Sequence, residues 1–466
     1  MTNLTQLMLA SGNAFIFSVA LTPIARDIFR AYNVVDRPGR RKVHTYPIPR
    51  IGGIPIAIAY VIALNSLRGP TSGFPLHWLQ TILSGTAIIF VTGLIDDFLN
   101  LKPVVKLVGQ ILAAVVAFLN GLSIDHVGGA MLPAWLSLLI TVFWLLLTTN
   151  ALNLIDGLDG LCGGIALWAT LTFFVVAFTH GNNMLAFTAL PLAAILLGFL
   201  AFNFNPATVF LGDSGALTIG FLLGCYGIIW TGHQITGGGL VVPLLALSVP
   251  MLDLGLSIVR RTLKHQPIFS ADRGHIHHML RDRGLSVRGA AMILYAVSVA
   301  GGLTALLLSH TGGHPWLRIT IVAAVAAATL AGVRELRYPE FEVAGRLLFR
   351  GEFQKVFAGK LRMKQLAQAL ERAATAEDWW RLLVAAAGEW HCVRVTWVGP
   401  GVFREEVLNA RKPSWSFVIA LSEAESIHLE GDSRTSSLQP DLAELPAILA
   451  RTFQPGLRDV RQPAVS

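Results

Sequence analysis

Long apolar runs separated by short polar stretches fill the first 335 residues. Runs long enough to cross a bilayer fall at about 4–25, 52–67, 79–95, 104–120, 132–149, 161–179, 185–203, 215–231, 239–259, 290–309 and 317–333. The pattern changes near residue 334, where charges become frequent and Trp379, Trp380, Trp390 and Trp397 appear. Apolar spacings of three and four predict helices over 343–372 and 377–389. HCVRVTWVG and WSFVIALS alternate like strands, with Pro400-Gly401 as a turn and SIHLEG as a third strand. A short helix is expected after Asp441. The predicted fold is an all-α polytopic membrane protein of about eleven transmembrane helices (residues 1–335). A small soluble α+β domain follows (residues 340–466).

One polar stretch interrupts the apolar pattern more sharply than the rest. NALNLIDGLDG, Asn150 to Gly160, sets two amides and two carboxylates between the apolar runs at 132–147 and 161–178. Such groups at the end of a span are costly and mark a site more often than a plain loop. Asn150, Asn153, Asp156 and Asp159 recur every third position, and each such step falls about 60° short of a helical turn. An unbroken helix would put Asn150 and Asp159 on opposite sides. The two Asp-Gly pairs are where the backbone can turn, so the stretch is expected to be a helix end that opens and points its polar groups into one cavity. The plainer reading is a capped interhelical loop.

Composition settles the class. Of 466 residues, 53% are apolar and 14% charged, with a mean hydropathy of +0.59. A soluble domain carries about 25% charged residues. Cys162, Cys225 and Cys392 are far apart and form no metal or disulfide pattern. The net charge of +8 does not argue for nucleic acid, because retention of Lys and Arg on the cytoplasmic face accounts for it. The run from Leu7 to Ile24 lacks a basic leader and a clear cleavage site, so a retained first span is expected.

The loops alternate in charge. Arg26 to Arg50, Lys102 with Lys106, and Arg260 to Arg288 form the basic set. The opposite set holds Arg68, with Arg318 at the mouth of the last span. The basic set is expected to face the cytoplasm, with the N-terminus outside and the C-terminal domain inside. All the notable polar clusters then share the cytoplasmic side. The external pair Asp125/His126 reads as a solvated loop.

Asp96 and Asp97 end the third span, where adjacent acids at the negative end of a helix dipole call for a compensating cation. Lys102, Lys106 or a metal ion would serve, and a carboxylate there could also act as a general base. A solvated helix end is the bland alternative. Asp213, in FLGDSG, is either a ligand or the cap of the following helix. Taken with Asp96, Asp97, Asn153, Asp156 and Asp159 it favours a metal site. The donors are all hard oxygens, which suit Mg²⁺ or Mn²⁺ better than zinc. His275, His277 and His278 stand among Arg273, Arg281 and Arg283. Zinc is the obvious rival there, but the surrounding cations suit an anionic substrate better. The basic loop Arg37 to Arg50, with His44, offers similar chemistry, or simple positive-inside retention. Asp253, inside the ninth run, either pairs with a neighbouring helix or lines the cavity.

The ordered motifs KVHTYPIPRIGG, GLIDDFLNL, NALNLIDGLDGL, FLGDSG and FSADRGHIHH resemble the polyprenyl-phosphate N-acetylhexosamine-1-phosphate transferases. The PIPR loop and the HIHH form are most similar to the branch that uses UDP-GlcNAc and undecaprenyl phosphate. They are less like the phospho-N-acetylmuramoyl-pentapeptide transferases. The resemblance covers roughly residues 1–335. It implies Asp213 as the principal Mg²⁺ ligand with Asn153 second, Asp96 as base and Asp97 assisting. It further implies Asp159 and Asp156 at the uracil, Lys106 at the pyrophosphate, and His275, His277, His278 and Arg273 at sugar or phosphate. His44 lies in a basic loop of the same kind. The implied reaction is direct displacement by the lipid phosphate at the β-phosphorus, releasing UMP. UDP-GalNAc and UDP-MurNAc-pentapeptide are nearer alternatives as donors. The resemblance is silent on the tail after 340, for which an unknown cytoplasmic partner is expected, and a homodimer stays open. A transporter would need polar residues on both faces and an internal repeat, and neither is found. A membrane-anchored scaffold for the C-terminal domain is the other rival.

Overall fold

The computed structural model describes residues 2–37, 46–67, 76–127, 130–233, 239–263, 274–312, 314–336, 352–390, 392–400, 402–410, 412–422, 424–432 and 445–453. The chain divides into two compact units, Met1–Tyr338 and Pro339–Ser466.

The first unit is helical. Its elements are α1 (Thr2–Ala31), α2 (Gly53–Ser66), α3 (Leu76–Leu99), α4 (Pro103–Leu119), α5 (Ala134–Ile155), α6 (Leu161–Thr179) and α7 (Asn183–Asn203). They continue as α8 (Gly212–His233), α9 (Val241–Ala246), α10 (Ser248–Leu263), α11 (Ile276–Asp282), α12 (Val287–Ser309) and α13 (Pro315–Glu335). A two-stranded ribbon, β1 (His126–Val127) and β2 (Ala130–Met131), sits between α4 and α5. Each predicted run falls on helix. Among the described residues, eight helices are long and apolar enough to cross a membrane. The expected count of about eleven exceeds this for two physical reasons. Helices α2 and α4 are shorter, at 14 and 17 residues. The ninth run breaks at Leu247, where α9 ends and α10 begins.

Local chemistry sets the helix ends. Pro103 opens α4, where its missing N–H costs nothing. Asn182 caps α7 and Ser286 caps α12 through their side-chain oxygens. Helix α8 is the most buried of the candidate spans and packs against α3 and α5. Its approach to α3 depends on Gly93, where a Cβ would lie 2.6 Å from Cα of Ser214. A close crossing at that point brings the C-terminal end of α3 to the N-terminal end of α8.

The second unit holds α14 (Glu352–Glu371), α15 (Ala376–Glu389), β3 (Cys392–Gly399), β4 (Val402–Val407), β5 (Trp415–Ala420), β6 (Ser426–Gly431) and α16 (Leu445–Thr452). The strands form an antiparallel sheet in the order β4-β3-β6-β5. Val395, Trp397, Ile427 and Leu429 pack with Trp379, Trp380 and Leu383 of α15 into its core. Strand β4 was absent from the expectations because VFREEV carries three charges and little alternation. It pairs antiparallel with β3, with Gly399 opposite Val402.

Candidate active site

The polar clusters converge at one end of the helical unit, from helix ends that alternate in direction. The C-terminal turns of α3 and α5 meet the N-terminal turns of α4, α6 and α8 there. Asp213 is in the first turn of α8, where the helix dipole favours a carboxylate. Its Oδ1 accepts from Nζ of Lys106 at 2.7 Å and its Oδ2 from Nη2 of Arg50 at 3.0 Å. The same Lys106 ammonium lies 2.7 Å from Oδ2 of Asp96. One lysine thus bridges carboxylates from two helices. Oδ1 of Asp96 also accepts the N–H of Leu101 at 2.7 Å, which ties the turn between α3 and α4.

Asp97 is engaged differently. Its two oxygens accept the backbone N–H groups of Asp213 (2.7 Å) and Ser214 (3.0 Å), so it caps α8 from a neighbouring helix. Gly212 makes room for it. Its φ is +75° and a Cβ there would lie 2.8 Å from Asp97 Oδ2. Arg50 is aimed by the short pairing of residues 49–53 with 210–211, in which Gly52 and Gly53 donate to the carbonyls of Phe210 and Leu211. Burial opposes its charge, but the facing carboxylates of Asp213, Asp97 and Asp156 outweigh burial and raise its pKa.

The central stretch stays helical through Ile155, so Asn150 and Asn153 remain on α5. The chain then turns over 156–160, ending on Gly160 at φ +76°. The opening is therefore at the two Asp-Gly pairs, as expected, after both amides. Asn150 exchanges hydrogen bonds with Gln110 of α4 (2.7 and 3.3 Å). Asp156 follows α5 directly. Removal from water pushes its pKa up to about 7, Arg50 pulling it down and Asp213 and Asp97 pushing it up. Oδ2 of Asp159 accepts from Asn205 Nδ2 (2.9 Å) and Ala207 N (3.0 Å), fastening this turn to the loop before α8. Tyr295 of α12 donates to the carbonyl of Gly160 at 2.5 Å.

The histidines belong to α11, with His275 at its N-cap and His277 and His278 in its first turn. His277 is 1% exposed, and neither ring nitrogen has a hydrogen-bond partner. Its ring lies against Gly157, where a Cβ would sit 2.7 Å from Nε2. This contact joins the HIHH segment to the central turn. Burial, reinforced by His278, pushes its pKa down to about 3, and burial also lowers that of His278. His275 is held by Asp253 at 2.8 Å. His44 and Arg273, also expected at the site, lie outside the described residues.

A cavity of about 560 Å³ opens beside Lys106. Asp96, Asn150, Asn153 and Arg261 contribute polar walls, and Phe143, Leu146, Leu147, Leu254 and Ile258 contribute apolar ones. It brings Asn153 to Asp96 and Lys106, while Asp213 reaches the group through Lys106. Asp159 lies within the 156–160 turn, and His277 packs against it. Among the described residues no three His, Cys, Asp or Glu groups converge closely enough to bind a metal by themselves. Asp213, Asp96 and Asn153 carry hard oxygen donors, the type that suits a divalent cation which completes its shell with phosphates.

Gln110 and Tyr295 were not singled out beforehand, and Arg50 and Gly157 only in part. Arg50 stood within a basic loop whose charge read equally as membrane retention, although the following Ile-Gly-Gly hinted at a tight approach. Gly157 was noted only for turning.

Residues 79–231 match the family described as Glycosyl transferase family 4. A Bacillus subtilis (strain 168) protein, named probable undecaprenyl-phosphate N-acetylglucosaminyl 1-phosphate transferase, is 34% identical over 319 residues. That alignment covers 66% of this chain and 87% of the relative. A Mycobacterium tuberculosis (strain ATCC 25618 / H37Rv) decaprenyl-phosphate N-acetylglucosaminephosphotransferase is 34% identical over 322 residues, covering 63% and 80%. A Yersinia pestis undecaprenyl-phosphate alpha-N-acetylglucosaminyl 1-phosphate transferase is 27% identical over 311 residues, covering 63% and 81%.

Proposed function

The chain belongs to glycosyl transferase family 4, and from that premise we propose that it is a multi-pass membrane enzyme. It transfers N-acetylglucosamine-1-phosphate from UDP-GlcNAc to undecaprenyl phosphate and releases UMP. The observation that carries the reading is the Lys106 ammonium, 2.7 Å from both Asp96 and Asp213, beside a cavity lined by both polar and apolar side chains. The charge bias of the loops supports a site at the cytoplasmic face of the inner membrane, where a soluble nucleotide sugar is available.

Both substrates are anions, so the site must first overcome their repulsion. Lys106 and Arg50 supply fixed positive charge where the diphosphate docks. Asp213 and Asn153 would hold Mg²⁺, or Mn²⁺, which when bound neutralises phosphate oxygens and polarises the bond to the leaving group. The apolar wall of the cavity receives the lipid and delivers its phosphate next to Asp96. A lipid phosphate that arrives protonated gives its proton to Asp96. Its oxygen then bonds to the β-phosphorus while the bond to the bridging oxygen breaks, and that oxygen leaves on UMP. The 156–160 turn, fastened by Asp159 and braced by Tyr295, forms the wall for the uracil, and Asp97 keeps α8 in register so that Asp213 is aimed.

Purified protein with a panel of UDP-sugars and undecaprenyl phosphate tests this directly. UMP release with UDP-GlcNAc, lost in Asp213→Ala at saturating Mg²⁺ and kept on deletion of 340–466, is the expected result. Release with Asp213→Ala near wild type would refute the site. Release only with another UDP-sugar would reassign the donor.

A further inference from the structure

Asp253 of α10 is 1% exposed and does not belong to the carboxylate group around Asp213. Both of its oxygens are committed. Oδ1 accepts the backbone N–H of Ile276 and Oδ2 meets Nδ1 of His275, each at 2.8 Å. A carboxylate only accepts, so Nδ1 of His275 carries the proton in this pair. Nε2 is then the ring nitrogen left for any other partner. His275 is also the residue on which α11 starts, and its own side chain provides no cap. Asp253 therefore fixes the first turn of α11 and the histidine ring together. The ring planes of His275 and His277 are parallel, 4° apart with centroids at 5.7 Å, and His277 in turn lies on Gly157 of the central turn. Ser257, one turn further along α10, accepts from Arg260 at 3.1 Å and stands 3.4 Å from the same Nδ1.

We propose that Asp253 is a positioning residue for the transfer reaction, acting through His275. It keeps the proton on Nδ1, so that the Nε2 of His275 is a bare nitrogen, able to accept from a substrate hydroxyl or to take the proton of a protonated phosphate. This rests on the transferase reading above. A purely structural Asp253 would need only to hold α11. The difference is visible in Asp253→Asn. The Ile276 N–H can only donate and claims the amide oxygen. The amide NH₂ is then turned to the histidine, which can answer only with a bare Nδ1. The proton moves to Nε2, which can then donate but no longer accept, while the tether to α11 survives.

The test measures turnover of UDP-GlcNAc in Asp253→Asn, His275→Asn and the double variant. Asp253→Asn is expected to lose about 100-fold or more in kcat, as inverted histidine tautomers do elsewhere. In the double variant the asparagine at 253 should add nothing to the loss from His275→Asn, because both act on one group. Turnover of Asp253→Asn within threefold of wild type, or additive losses, would overturn the proposal. If Asp253→Asn does not fold, His275→Asn decides alone. Its amide nitrogen replaces Nδ1 as donor to Asp253 but it has no Nε2, so wild-type turnover there also overturns the proposal. If wild-type protein itself releases no UMP, the transferase reading has failed. The proton position is then read by ¹⁵N NMR of labelled histidine: Nδ1–H in the wild type and Nε2–H in Asp253→Asn support the tautomer control, and an unchanged spectrum refutes it.

Discussion

Replacing Lys106 by methionine separates its two jobs, because the side chain keeps most of its length and loses its charge. In the structure this ammonium stands 2.7 Å from a carboxylate oxygen of Asp96 and 2.7 Å from one of Asp213. All three side chains are largely shielded, so screening by water is limited. A hydrogen bond between charged groups contributes about 1.5–3 kcal/mol net. A divalent cation that binds Asp213 must displace that interaction, so its removal strengthens cation binding to the free enzyme. At about 1.4 kcal/mol per decade this is roughly a 10- to 150-fold gain, with Arg50, still 3.0 Å from Asp213, holding it to the lower part of that range. The diphosphate of the donor loses a positive contact in the same variant and binds more weakly. Mn²⁺ titration followed by electron spin resonance without nucleotide gives the first quantity, and the KM for UDP-GlcNAc gives the second. Opposite shifts in the two are the expected result. Unchanged or weaker cation affinity in folded Lys106→Met would refute the idea that lysine and metal compete for Asp213, and an unchanged KM would remove Lys106 from the donor site.

Three further substitutions probe the frame around that lysine. Gly157→Ala places a methyl 2.7 Å from Nε2 of the buried His277 ring, and such overpacking costs about 1–3 kcal/mol. Thermal unfolding should show the loss, and adding His277→Ala should recover part of it; equal stability of Gly157→Ala and wild type would contradict the packing. Asp97→Asn leaves one acceptor for two N–H donors and should lower stability by about 1.5–3 kcal/mol, whereas an Asp97 that serves chemistry alone would leave the melting temperature unmoved. His277 has a folded pKa of about 3, below the ordinary 6.5, so the unfolded chain binds the extra proton between those values. Stability is therefore full above pH 6.5 and falls as pH drops towards 3, by about 1.4 kcal/mol per unit. His277→Leu should flatten the dependence of the melting temperature between pH 6.5 and 5, and an unaltered slope would argue that the ring is not buried neutral.

Helix positions were readable because bilayer-length apolar runs need no tertiary information to locate. What the runs could not disclose was where a helix stops being continuous. The segment 239–259 is mostly apolar, yet it breaks at Leu247; Pro243 and Pro250 flank that point, but a proline alone does not separate a break from a bend. VFREEV failed for the opposite reason: its strand conformation is imposed by pairing with β3, not by its own alternation. In the centre, Asn150, Asn153, Asp156 and Asp159 were visible as a group, but their division of labour was not. Asn150 faces Gln110 across to α4, and Asp159 fastens the loop before α8. Those partners lie 40 and 46 residues away, beyond any local pattern.

The same limit explains Asp97 and Asp253. Adjacent acids at a helix end suggest a metal or a base, because sequence shows charge but not the donors that meet it. At Asp97 the donors are backbone N–H groups of a helix 116 residues later, at Asp253 a backbone N–H and an imidazole. Both carboxylates are spent on aiming other groups, α8 with its Asp213 in one case and α11 with its His275 in the other. Both oxygens of Asp213, and Oδ2 of Asp96, instead meet side-chain cations, which can give way to a substrate or a metal ion, whereas a backbone N–H, such as that of Leu101 on Oδ1 of Asp96, cannot. A site that must exchange one set of positive charges for another in each turnover has to keep its exchangeable carboxylates apart from its fixed ones. Asp96 and Asp213 fall in the first class and Asp97 and Asp253 in the second. Charge-neutral substitutions should accordingly disturb cation binding in the first class and stability or ring orientation in the second.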